Sequence, residues 1–130
     1  MKRIVKPVLA ALLLTGAAHS AFADGDAEKG EKVFKKCKAC HVADSDQNKV
    51  GPSLQNVIGR TAGTVEGFKY STGMVDAGAG GLVWTPETIA PFVQDPKGTI
   101  AGTKMSFAGL KKPEDVENVI AYLKQFSPAE

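Results

Sequence analysis

The pentapeptide Cys37-Lys38-Ala39-Cys40-His41 constrains this chain more tightly than any other feature, since it holds both cysteines and one of the two histidines. A disulfide between Cys37 and Cys40 would close a very small loop and stabilise little. A thioredoxin-like redox site needs its C-x-x-C near a strand–helix–strand pattern, and no strongly alternating run marks a strand here. A structural zinc site needs four ligands, which two cysteines and one histidine do not supply. The spacing C-x-x-C-H also serves covalent attachment of a c-type haem, and that reading uses all three residues. Each thiol adds across one vinyl group of the ring, and the next residue turns its imidazole toward the iron.

The N-terminus sets the compartment. Lys2, Arg3 and Lys6 form a basic head, Val8 to Ala18 is apolar, and Ala21-Phe22-Ala23 fits a small-x-small cleavage site. This pattern reads as a secretory signal peptide over residues 1–23 rather than an uncleaved membrane anchor. The expected mature chain starts near Asp24 and forms one domain over residues 24–130. It carries 13 basic and 14 acidic residues, a net charge of −1 in place of the +2 of the full sequence. That balance gives no case for nucleic-acid binding. His19 leaves with the signal, so His41 is the sole mature histidine, and Met74 and Met105 are the sole mature methionines.

The remaining pattern is helical. A helix is expected from Ala27 to Lys36, with Asp26 as N-cap and Val33 and Phe34 on its apolar face. A last helix is expected from Pro113 to Phe126, where Val116, Val119, Ile120 and Leu123 recur at helical spacing. A shorter one begins after Thr85, with Pro86 at its first position and a kink or early end expected at Pro91. A further short helix is expected around Met74 to Ala77. Between Gly51 and Gly81 the chain is rich in glycine and has little periodicity. So long an irregular stretch suits a compact domain when it wraps a large apolar cofactor, which also supplies core that a small chain lacks.

The stretches "GDAEKGEKVFKKCKACH", "VGPSLQNVIGR", "FKYS", "GLVW", "DPKGTIAGTKMSFAGLKK" and "VIAYLKQF" occur in this order over nearly all of Asp24 to Phe126. In sequence and spacing they resemble the class I cytochromes c, in particular the bacterial cytochrome c2 and mitochondrial cytochrome c group. The resemblance implies an all-α fold of four to five short helices wrapped around one covalent haem.

His41 supplies one face of the iron, and the residues alone leave Met105, Met74, a lysine or an open position for the other. The resemblance implies Met105, in the non-helical "GTKMSF", and leaves Met74 as core filling. It further implies that the Pro52 carbonyl accepts a hydrogen bond from the ligand imidazole. Tyr70, Trp84 and Arg60 match positions that reach a buried haem propionate, and Thr103 one that bonds near the propionate and the ligand loop. Gly30, Phe34 and Tyr122 match the crossing of the first and last helices. Phe92 departs from the pattern, since many relatives carry a tyrosine there, and the neighbouring Pro91 is unusual.

The function expected from these residues is that of an electron carrier, not an enzyme. It would be a soluble, periplasmic, single-haem shuttle, and a monomer. Electrons would pass from a cytochrome bc1-type complex to a terminal oxidase or a photosynthetic reaction centre. The competing class, a peroxidase-like haem enzyme or a gas or redox sensor, needs an open iron position and a distal catalytic group. By resemblance, Lys35, Lys36, Lys38, Lys49, Lys97, Lys104, Lys111 and Lys112 ring the exposed haem edge. Asp24, Asp26, Glu28 and Glu130 lie toward the termini. Intact mass of the exported protein should equal the chain from about Asp24 plus one haem. A reagent that labels both cysteines of that mature protein would reject attachment at Cys37 and Cys40.

Overall fold

A computed structural model describes residues 24–128; the expected signal peptide lies outside the described residues. Five helices follow one another: α1 (Ala27–Phe34), α2 (Thr72–Ala79), α3 (Pro86–Gln94), α4 (Pro96–Thr99) and α5 (Pro113–Lys124). Among the described residues the one sheet-type pairing is an isolated antiparallel bridge between Thr61 and Val83. None of these helices is long and apolar enough to cross a membrane.

Helix α1 starts where the Asp26 carboxylate accepts from the Lys29 N–H at 3.0 Å. That bond holds the Asp26 carboxyl below its usual pKa. The helix ends at Phe34, short of Lys36, because the next amides bond three residues back. Lys36 N–H reaches the Val33 carbonyl at 3.1 Å and Cys37 N–H the Phe34 carbonyl at 2.8 Å. Helix α5 tightens in the same way after Lys124, where Gln125 and Phe126 bond to Tyr122 and Leu123. Such tightening is common in last turns.

Of the kink or early end expected at Pro91, the early end does not occur: helix α3 runs on through Pro91 to Gln94. The N–H that Pro91 lacks would have met the Glu87 carbonyl. Both residues are exposed, so water can take that place. A mutual cap of Thr85 and Thr88 fixes the start of α3. Helix α4, which the sequence reading does not place, is one turn capped by Asp95 through the Gly98 N–H at 3.0 Å.

Helices α1 and α5 cross against each other at Gly30. A Cβ there would run into the Asn118 carbonyl and lie 2.8 Å from Tyr122 Cβ. Phe34 and Tyr122 stack at 5.1 Å beside the crossing, and Asn118 Oδ1 accepts from Asp26 N–H at 2.8 Å. Val33, Phe34, Val116, Val119, Ile120 and Leu123 are buried around it.

The glycine-rich loop is fastened by backbone hydrogen bonds rather than by regular structure. Leu54 bonds to Val42, Asn56 to Phe126, Gly59 to Trp84, Ala62 to Leu82, and Trp84 back to Arg60. These bonds answer the demand that buried peptide groups be paired. Arg60 and Trp84, tied together by these bonds, both line one cavity. Gly30→Ala should lower the unfolding free energy by about 1–3 kcal/mol, as overpacking against fixed backbone does. Denaturant titration checks this, and an unchanged midpoint would show that the crossing is looser than described.

Candidate haem site

The attachment motif is itself a helical turn. The Cys37 carbonyl accepts from Cys40 N–H at 3.1 Å and from His41 N–H at 2.9 Å. This turn holds Cys37, Cys40 and His41 on one wall of a cavity of about 320 Å³. Cys37 and Cys40 are not joined to each other by a disulfide, and before any attachment burial pushes the Cys37 thiol up to about 11. It is therefore protonated at neutral pH and lacks the depressed pKa of a redox-active thiolate.

His41 Nδ1–H donates to the Pro52 carbonyl at 2.8 Å. A carbonyl can only accept, so this bond fixes the tautomer and leaves the lone pair of the neutral ring on Nε2. Burial pulls the imidazole pKa below its usual value. The Pro52 contact opposes that shift, and the charges of Arg60 and Lys49 add to it. The ring is thus neutral at pH 7, the form that binds a metal.

Met105 lines the same cavity from the irregular segment between α4 and α5. Thr103 Oγ1 accepts the Met105 N–H at 3.3 Å, and Thr103 N–H bonds to Ile100, so the threonine braces this segment. Met74 also reaches the cavity, but from inside α2, where it is buried in the core. Phe92 is buried with its ring 5.1 Å from that of Trp84. With Ile89, Phe107 and Leu110 it gives the cavity an apolar lining.

Polar groups of the lining include Arg60, Tyr70 and Trp84. Arg60 Nη1 donates to the Gln55 carbonyl at 3.2 Å, which leaves most of its N–H groups uncommitted. The Tyr70 hydroxyl accepts from Val65 N–H at 3.0 Å and keeps its own proton to give. Burial lowers the Arg60 pKa, and the nearby Tyr70 opposes that shift. Burial raises the Tyr70 pKa, against the Val65 contact and the Arg60 charge. No Asp or Glu lines the cavity among the described residues.

All nine residues singled out from the sequence, Cys37, Cys40, His41, Pro52, Arg60, Tyr70, Trp84, Thr103 and Met105, line this one cavity. Sequence reasoning did not single out Leu54, Val57, Ile89, Phe107 or Leu110. Their only signal is apolar character in segments without clear periodicity. The lining matches the chemistry of a haem: apolar walls for the ring, thiols and an imidazole lone pair at one side, a thioether, and donors without competing acids for carboxylate substituents.

The family model "Cytochrome c" matches residues 27–127. The chain is 50% identical over 101 residues to cytochrome c2 of Agrobacterium tumefaciens, covering 77% of this chain and 91% of that protein. It is 45% identical over 121 residues to cytochrome c2 of Blastochloris viridis, covering 92% and 88%. The solved cytochrome c2 of Rhodospirillum centenum superposes with a TM-score of 0.75 at 45% identity, covering 80% of this chain and all of that one.

Arg60→Gln removes a positive charge from a half-buried position on the cavity wall, where charge is felt more strongly than in bulk water. The reduction potential should fall, since the oxidised, more positive centre is relieved of repulsion. Arg60→Lys should restore most of the difference. A redox titration that finds no change in Arg60→Gln would show that this charge does not reach the iron.

Proposed function

The chain belongs to the cytochrome c family, with relatives of the c2 type, and on that premise we propose that this haem electron carrier shuttles single electrons between membrane complexes. It takes them from a bc1-type donor and passes them to a terminal oxidase or a photosynthetic reaction centre, as a monomer in the periplasm. The observation that supports this most is the presence of His41 Nε2 and the Met105 thioether in one cavity with neither a carboxylate nor a second histidine among the described residues that line it.

When bound, the haem supplies a one-electron iron couple. Cys37 and Cys40 would hold it covalently, and His41 and Met105 would bind its iron. Pro52 keeps His41 in the tautomer that offers Nε2. Thr103 holds the Met105 segment, and a thioether ligand raises the potential. Arg60, Tyr70 and Trp84 offer donors to the propionates. Among the described residues the lining holds no acid–base pair to process a substrate, and its residues serve to bind, orient and exclude water.

The outer surface supports docking through lysines. Lys36 and Lys104 line the cavity and are exposed, and the exposed Val50 lies with them. Lys49 Nζ donates to the Lys38 carbonyl at 2.8 Å and Lys104 Nζ to the Lys69 carbonyl at 3.3 Å. These contacts keep the two charges close to the loop surface. Lys124 sits instead beside Asp24, 3.9 Å away on α5. A basic rim steers the molecule onto acidic docking sites and lets it leave quickly.

Met105→Ala should abolish the far-red sulfur-to-iron absorption of the ferric protein and lower its potential. Met74→Ala should leave both nearly unchanged, and the opposite result would exchange the two assignments. The bimolecular rate with isolated membranes should fall steeply as ionic strength rises. Charge reversal at Lys36, Lys97 or Lys104 should lower that rate while reversal at Lys124 has little effect. Indifference to salt, or an equal response at all four positions, would reject the lysine rim.

A further inference from the structure

Gly51 has its backbone against the imidazole of His41. A Cβ built on Gly51 would lie 2.8 Å from Nδ1 and 2.9 Å from Nε2, and closer still to Cε1 between them. Near-equal distances to both nitrogens, only slightly longer than that to Cε1, place this point over the face of the ring rather than beyond its edge. Among the described glycines, Gly51 alone would meet a side chain of the attachment motif; Gly30 and Gly78, for comparison, meet backbone of other elements.

Gly51 is also held in place. Its N–H donates to the Cys40 carbonyl at 2.8 Å, and its carbonyl accepts from Lys49 N–H at 2.9 Å. The segment cannot retreat without breaking a bond to the attachment turn. Of the two partners in this contact, the ring has the softer coordinate, rotation about its Cβ–Cγ bond. The next residue, Pro52, accepts the Nδ1 proton at 2.8 Å. Two adjacent residues therefore act on one ring, one through its face and one through its edge.

We propose that Gly51 is a positioning residue for His41: its bare backbone, lying on the imidazole face, fixes the rotation of the ring, and with it the plane in which the ligand meets the iron. The proposal rests on the assignment of His41 as an iron ligand. A methyl group at position 51 would turn the ring. That turn would stretch the Pro52 hydrogen bond and reorient the ligand plane relative to the haem. A weaker bond at Nδ1 makes the imidazole a poorer donor, which disfavours the ferric state.

The test uses the intact holoprotein. In the ferric state, the order and spread of the hyperfine-shifted haem methyl resonances report the ligand plane. Gly51→Ala should reorder them and raise the reduction potential. Gly78→Ala, whose Cβ meets the Ala62 backbone, should lower stability and leave both readouts in place. A Gly51→Ala spectrum and potential like those of the wild type, or a Gly78→Ala variant that shifts both equally, would overturn the proposal. Should Gly51→Ala fail to fold, the wild type still decides. The ferrous protein should show a nuclear Overhauser contact between His41 Hε1 and the Gly51 α-protons, and its absence would overturn the proposal. If the wild-type His41 ring protons lack the shifts of an iron-bound imidazole, the ligand assignment fails first and the proposal falls with it.

Discussion

The hydrogen bond from His41 Nδ1 to the Pro52 carbonyl joins the two parts of the chain on which the site depends. One is the attachment turn, which places Cys37, Cys40 and His41 on one wall. The other is the loop that follows, which lacks regular structure and yet carries Pro52, Arg60 and Tyr70 into the interior. A second bond in parallel, Gly51 N–H to the Cys40 carbonyl, ties the same two segments. Together they set where the imidazole lies and which nitrogen it offers. An imidazole free to rotate would need ordering before it could bind iron, and its donor strength would vary with its orientation.

The helices serve as a frame around this junction. None exceeds the 12 residues of α5, and helices so short are not stable alone in water. They gain order by packing, α1 on α5 through the gap left at Gly30, and α3 on α4 and α5. Much of what they leave between them is the cavity, lined by buried apolar residues such as Phe34, Trp84, Phe92 and Leu123. The haem would fill this cavity and give its apolar walls the dispersion contacts that stabilise an ordinary core. The covalent ring is therefore structural as well as functional.

What the sequence made legible is what depends on local chemistry. Asp26 and Thr85 are capping residues whose side chains have a partner three positions ahead, and both caps are present. Helix α5 follows from its apolar spacing and Pro113. The attachment motif is legible because three scarce residues are contiguous. Helix α4 escaped notice because one turn has no periodicity, and only the Asp95 cap with Gly98 behind it marks the site. The continuation of α3 past Pro91 depends on solvent exposure, which the sequence does not state. Gly51 is the clearest case of the rest. In the sequence it is one glycine among many before a proline, and only the folded loop brings it against His41, ten positions earlier.

The central claim is that His41 and the Met105 thioether would both bind one iron, leaving no position open to an added ligand. Carbon monoxide added to the reduced protein at neutral pH tests this in a single visible spectrum. The account predicts a spectrum unchanged by the gas, with the sharp bands of a six-coordinate low-spin ferrous centre. A prompt carbon monoxide adduct at stoichiometric yield would contradict it, and would place the protein with the haem enzymes and sensors instead.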